Sequence, residues 1–225
     1  MTENAGDLLN WKPVSRPGPV TLRGRTVTLE PLDAERHSAA LWKQFQGQDD
    51  LWTWMGDGPF PGEDELWQAV AAKQANPAAT FLAILPAATG LAAGWASLMR
   101  AEPAHGVIEV GNIVLGPALQ RSAAATEAMY LMARFVFDEL GYRRYEWKCN
   151  AGNLASRRAA ERLGFTFEGI FRQHMIVKGR NRDTAWYAML DRDWPARRRA
   201  FERWLDPENF DDAGRQRKRL QDFLH

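Results

Sequence analysis

At 225 residues, with 45% hydrophobic and 25% charged positions, the chain has the size and balance of one globular domain carrying a small appended element. Its 29 Lys and Arg against 28 Asp and Glu leave a formal charge of +1, which excludes bulk electrostatic binding to nucleic acid. A lone cysteine, Cys149, excludes an intrachain disulfide; with no signal-peptide core at Met1–Lys12 and no apolar run of about 18 residues, a reducing, cytoplasmic setting away from the membrane is expected.

Residues 1–19, with three prolines in the last seven, read as an extended lead-in. Val20 to Leu32 is rich in Val, Thr and Leu and alternates in part, giving a strand pair or one bent strand. Asp33 caps a helix reaching about Gln44, with Leu41 and Phe45 on one face. A loop punctuated by Asp57-Gly58-Pro59 and Pro61-Gly62 leads to a second helix, Glu63 to Ala75, in which Leu66 and Val70 are spaced by four. Trp42, Trp52, Trp54, Trp67 and Trp95 all fall in this first half; most are expected in the core, and a few can line an apolar slot.

Thr80–Leu85 and Leu91–Met99 read as strands around Pro86–Gly90, and Val107–Leu115 as a central strand. A helix follows from Ala124 to Leu140, with Ala125, Met129, Met132, Val136 and Leu140 on its buried face. Arg143–Cys149 is a strand, Asn153–Leu163 a helix closed by Gly164, and Phe165–Val177 with Thr184–Leu190 a hairpin across Lys178–Asp183. Trp194–His225 reads as a charged helical tail without a strong apolar stripe, its Arg215, Arg217, Lys218 and Arg219 forming a solvated face. This order implies a mixed α/β fold, with one domain over 20–194 and an extension over 195–225.

Leu119–Ala128 carries most of the functional information. A strand feeding a helix through small residues exposes backbone N–H groups at the positive end of the helix dipole, which suits a phosphate or pyrophosphate. An ordinary small-residue helix start is the alternative. About thirty residues on, Asn153 to Phe165 forms a second strand–helix–strand junction, ahead of Phe167-Glu168-Gly169.

Together these motifs resemble the GNAT N-acyltransferase superfamily in its RimJ/RimL-like branch. The counterparts are Gln120-x-x-Ala123-x-Ala125, Thr126-Glu127-Ala128, Asn153-x-x-Ser156 and Leu163-Gly164-Phe165, within roughly Val20 to Trp194. Ala123 stands where the branch usually has glycine, a good residue if that position is already helical. The resemblance implies a bent, mostly antiparallel sheet whose middle strands splay to admit the pantetheine arm of coenzyme A. It also implies that Asn153 contacts that arm and that Ser156 lies near the sulfur as a proton donor. On the residues alone, Asn153 is simply a helix cap bonding the Ser156 N–H.

Acyl transfer from a thioester to an amine requires the diphosphate held, the carbonyl polarised, the ammonium deprotonated and the thiolate protonated. Gln120, Arg121, Ser122, Ala123, Ala124, Ala125 and Thr126 address the first demand. Ile113, Val114 and Leu115 end the central strand where a pantetheine amide can pair with main-chain groups. Glu109, an acid inside an apolar strand, is the candidate base, on the face of Gly111, Ile113 and Leu115 by alternation; a partly exposed strand-start Glu is the competing reading. Glu146 and His174 stand in reserve.

Asn112 interrupts the same run and can orient an amine or a water. Arg172 can meet an acidic acyl group or an acceptor carboxylate, while Asp183 braces the hairpin turn. Trp52 or Trp54, close together in one loop, is expected to border the acceptor pocket. Four scattered histidines and one cysteine give no metal-ligand spacing, so no metal is expected. Cys149 beside Lys148 reads as a small buried residue rather than an activated thiol.

The expectation is therefore an acyl-CoA-dependent N-acyltransferase. Acetyl-CoA is the default donor by resemblance, with succinyl-CoA or another short acyl-CoA as rival. A non-catalytic CoA-binding protein is the alternative from another class. The acceptor is a protein N-terminus, small amine, amino sugar or polyamine, and a homodimer or higher homo-oligomer is compatible.

Overall fold

A computed structural model of the chain describes Leu8 and residues 10–224; the start of the lead-in (1–7 and 9) and His225 lie outside the described residues. Eight strands form one sheet: β1 (Leu22–Arg23), β2 (Val27–Pro31), β3 (Ala79–Pro86), β4 (Gly94–Glu102), β5 (Val107–Leu115), β6 (Arg144–Asn150), β7 (Thr166–Val177) and β8 (Arg180–Leu190). Their order is β1-β2-β3-β4-β5-β6-β8-β7, and every adjacent pair is antiparallel except β5 with β6. Five helices flank it: α1 (Ala34–Phe45), α2 (Glu63–Gln74), α3 (Ala123–Arg134), α4 (Leu154–Arg162) and α5 (Trp194–Leu205). The mixed α/β architecture with a mostly antiparallel sheet is as expected.

Local chemistry sets these boundaries. Asp33 accepts the Arg36 N–H at 2.9 Å and starts α1, while Gly164, at φ +90°, closes α4. The β7–β8 turn is tighter than expected. Lys178 (φ 49°) and Gly179 (φ 72°) turn the chain alone, the positive-φ pair that a two-residue hairpin demands. Strand β8 consequently takes in Arg182 and Asp183. The helix predicted to reach Leu140 ends as α3 at Arg134, and Phe135–Glu139 continue it with a wider π-type turn.

Two cores lie on opposite faces of the sheet. One joins Ile108, Val110 and Tyr187 to α3 and α5; the other joins Val114 and Trp95 to Leu41 and Phe45 of α1 and to Leu66 and Val70 of α2. Glu127 ties α3 to the β1–β2 turn, its carboxylate accepting the backbone N–H groups of Arg25 (2.8 Å) and Thr26 (2.6 Å). A Cβ on Gly24 would lie 2.6 Å from that carboxyl carbon, so a side chain there would push the carboxylate off these two N–H groups.

The tail differs from expectation. α5 buries Trp194, Phe201 and Trp204, with Trp194 stacked on Phe137 at 5.2 Å and Phe201 5.5 Å from Tyr130. Residues 206–224 then form short turns, not a long helix, and Phe210 bridges to Gln216.

Candidate active site

Strands β5 and β6 pair only from Val107–Arg144 to Val110–Trp147 and then diverge. A bulge in β5 accompanies the split. Trp95 faces Val114 and Ser97 faces Gly111, so Ala96 alone opposes Asn112 and Ile113. Asn112 takes φ 52°, a left-handed conformation that Asn tolerates, and the Ser97 hydroxyl donates to the Gly111 carbonyl at 2.9 Å.

The extra residue reverses the alternation that sequence reasoning assumed. Glu109 and Gly111 share one face, where a Cβ on Gly111 would sit 3.1 Å from the Glu109 carboxylate. Ile113 and Leu115 instead join Val110 on the opposite face, against the α3 core, and Val114 packs with the α1–α2 core.

Two cavities of about 650 and 500 Å³ meet at this split and share Ile113, Leu115, Trp147, Ala155 and Ala159. The larger runs past the first turn of α3. Ser122 caps that helix, its hydroxyl oxygen accepting the Ala125 N–H at 3.1 Å, and Arg121 before it takes φ 56°. Ala123 already lies in the helix, so alanine costs nothing where glycine was anticipated. Ser122, Ala123, Ala125 and Thr126 line this cavity, whereas Ala124 is turned into the core.

Arg121, Arg158, Arg162 and Arg215 line the same cavity, and no carboxylate does among the described residues. Arg162 donates to the Thr126 hydroxyl at 3.0 Å and stacks 5.2 Å over Trp204, and its burial lowers its pKa. Arg158 and Arg162 were missed in the sequence; their spacing of four along the Ala155–Ala159 face of α4 was the available signal. Arg215 was expected on a solvated helix. It lies instead on the turn beside Phe210 and Trp204, paired with Asp211 at 2.8 Å.

The smaller cavity brings together Glu109, Asn112, Gln120, Asn153 and Ser156. Gln120 donates to the Leu115 carbonyl at 3.1 Å and so belongs to this side of the split. Asn153 caps α4 by accepting the Ser156 N–H at 3.0 Å, and Trp147 Nε1 donates to Ser156 Oγ, also at 3.0 Å. Cys149 lines the cavity too; burial pushes its thiol pKa up, with the neighbouring Ser156 hydroxyl opposing.

Glu109 is buried and paired. Arg100 approaches both of its oxygens at 2.8 Å, and Lys148 lies 3.1 Å from Oε2. Lys148 also meets Glu146 at 2.7 Å and lies 3.9 Å over the Trp186 ring. Glu146 is therefore a member of a charged ladder that continues through Arg144 to Glu168. His174 hydrogen-bonds the Thr184 hydroxyl at 2.9 Å and packs edge-on to Phe171, outside both cavities.

Two expected acceptor residues are placed elsewhere. Trp52 is 2% exposed, wedged among Phe45, Phe60 and Trp95, because its ring completes the second core. Trp54, 41% exposed, does line the cavity. Arg172 is exposed on β7 and lines neither cavity, since the β7 irregularity between Phe171 and Met175 falls at this point; Arg182 of β8 lines the smaller one.

A family model described as Acetyltransferase (GNAT) domain matches residues 26–166. A crystal structure of a GCN5-related N-acetyltransferase from Brucella melitensis is 48% identical, with a TM-score of 0.94, over 96% of this chain and 99% of its own. A GNAT-family structure from Chromobacterium violaceum ATCC 12472 is 40% identical, with a TM-score of 0.80, over 87% of this chain and 98% of its own. YdaF of Bacillus subtilis (strain 168), provisionally named a ribosomal N-acetyltransferase, is 26% identical over 169 residues, 74% of this chain and 90% of its own.

Proposed function

The chain belongs to the GNAT family of acetyltransferases, and within it we propose direct transfer of an acetyl group from acetyl-CoA to a primary amine in a ternary complex. One observation carries this reading. A groove runs through the sheet split; among the described residues it is lined by arginines without a carboxylate at one end and by a single carboxylate at the other, with Ser156 beside the shared wall.

In this reading the diphosphate sits at Arg121–Thr126, where the first-turn N–H groups of α3 have no helical acceptor of their own. The pantetheine amides pair with the main chain of Ile113, Val114 and Leu115 as an added strand, which presents an N–H to the thioester oxygen. Asn153 holds the arm from the α4 side. The amine enters from the Trp54 side, steered by Asn112, and gives its proton toward Glu109, the sole carboxylate on that wall among the described residues.

Nitrogen then attacks the thioester carbon, and the C–S bond breaks as the tetrahedral intermediate collapses. Ser156 gives its proton to the departing thiolate and regains one from the attacking nitrogen, which sheds its second proton as it becomes an amide, so the hydroxyl is restored. Because Trp147 already donates to Ser156 Oγ, the hydroxyl hydrogen is left for the sulfur.

Placement in the RimJ/RimL-like branch rests on the motif order around Gln120, Thr126, Asn153 and Gly164 and on the similarity to YdaF. A short acyl-CoA such as succinyl-CoA is the rival donor. The cytoplasm is the setting of this reading, where the free, buried Cys149 stays reduced. Release of free CoA from acetyl-CoA, followed with and without amines, tests the reaction. Amine-dependent release with an N-acetylated product is expected; release indifferent to amine contradicts it.

A further inference from the structure

Arg182 lies on β8 and lines the acceptor cavity. Its Nε donates to the Thr184 hydroxyl at 3.2 Å, which fixes the plane of the guanidinium. Its other nitrogens make no ion pair among the described residues. Half-burial lowers its pKa and Arg100 adds to this, with Cys149 and Glu109 opposing only in part.

The cavity wall as a whole is unbalanced. Arg100, Lys148 and Arg182 are cationic, and Glu109 is the only acid among the described residues that line it. Arg100 and Lys148 already hold Glu109, so Arg182 feels that carboxylate only at longer range and has no ion-pair partner among the described residues. Met99, Met175, Val177 and Trp54 supply the apolar remainder.

We infer that the acceptor is an amine bearing a carboxylate on an apolar body, and that the carboxylate pairs with Arg182. The inference rests on the acetyltransferase reading and adds the substrate class. A fixed guanidinium plane suits bidentate carboxylate recognition. Polyamines and amino sugars, carrying several positive charges and no carboxylate, offer Arg182 no partner and are disfavoured beside it. A neutral protein N-terminus leaves Arg182 unpaired.

Product binding to the full chain saturated with CoA tests this without requiring turnover. By calorimetry, N-acetylleucine should bind about tenfold or more tightly than N-acetylisopentylamine, the same molecule without its carboxylate. Arg182→Gln should abolish the difference and Arg182→Lys should keep part of it, both with unchanged CoA affinity. In initial rates, leucine should exceed both isopentylamine and a neutral, C-terminally amidated peptide. Equal affinities, no binding of either product, a preference that survives Arg182→Gln, or a better neutral peptide would each overturn the inference. Failure of CoA itself to bind would instead count against the parent reading.

Discussion

The indole N–H of Trp147 donates to Ser156 Oγ at 3.0 Å, linking the last residue of β6 that pairs with β5 to the first turn of α4 across the mouth of the split. The contact orients the hydroxyl through its oxygen and leaves its hydrogen available. If that hydrogen reaches the leaving sulfur, Ser156→Ala should lower kcat by about 10²–10⁴ with little change in donor KM. It should also cost about 1–3 kcal/mol of stability, because the indole N–H loses its acceptor. Trp147→Phe keeps the hydroxyl and should reduce kcat far less. Steady-state kinetics with urea unfolding separates the two effects, and wild-type turnover in Ser156→Ala would leave the residue as part of a cap.

On the donor side, Ala125 lines the large cavity while Ala124 packs in the core. Ala125→Glu should therefore weaken CoA binding by about tenfold or more at nearly unchanged stability, by placing negative charge against the diphosphate. Arg162→Gln should also weaken CoA binding, since it removes a half-buried cation facing the same space. Calorimetric titration of each folded variant with CoA checks both, and unchanged affinity in both would contradict the assignment of this cavity.

The two neighbouring tryptophans should separate cleanly. Trp52→Ala empties a site packed by Phe45, Phe60 and Trp95 and should destabilise by about 3–5 kcal/mol. Trp54→Ala should stay within about 0.5 kcal/mol and raise acceptor KM while donor binding is kept. Thermal unfolding and acceptor kinetics on both variants test the distinction.

These residues also mark what the sequence made legible. Regular signals read well: Asp33 and Asn153 as caps, the ends of β5, and the four-residue spacing of Leu66 and Val70 in α2. The bulge at Asn112 did not, because a single extra residue has no period, yet it reverses which side chains share a face with Glu109. The partners of Glu109 come from β4 and β6, so no local spacing could announce them. The apolar stripe of α5, Trp194, Phe201 and Trp204, was masked by the arginines between them. Trp52 and Trp54 differ only in tertiary surroundings, which composition cannot separate.

Acidification should destabilise the fold in two stages. Burial, helped by Arg182, Arg100 and Lys148, holds the His174 pKa below its ordinary 6.5. The native state thus resists a proton that the unfolded chain accepts, and stability falls as pH drops below 6.5 toward the folded pKa. Glu168, held down by its Arg144 hydrogen bonds, and Asp183, by the Gln173 N–H, then lose their contributions as pH falls through their lowered pKa values. Urea midpoints should decline as pH falls below the ordinary histidine value of 6.5, and His174→Gln should flatten the first stage. A midpoint that rises on acidification through pH 6 would contradict the assignment.

The most direct test of the account is a crystal structure of the protein with CoA bound. The account predicts the diphosphate against the Arg121–Thr126 backbone, the pantetheine arm paired with Ile113–Leu115 in the split between β5 and β6, and the sulfur within hydrogen-bonding reach of Ser156 Oγ. A cofactor whose diphosphate avoids the first turn of α3, or whose sulfur lies away from Ser156, would contradict it.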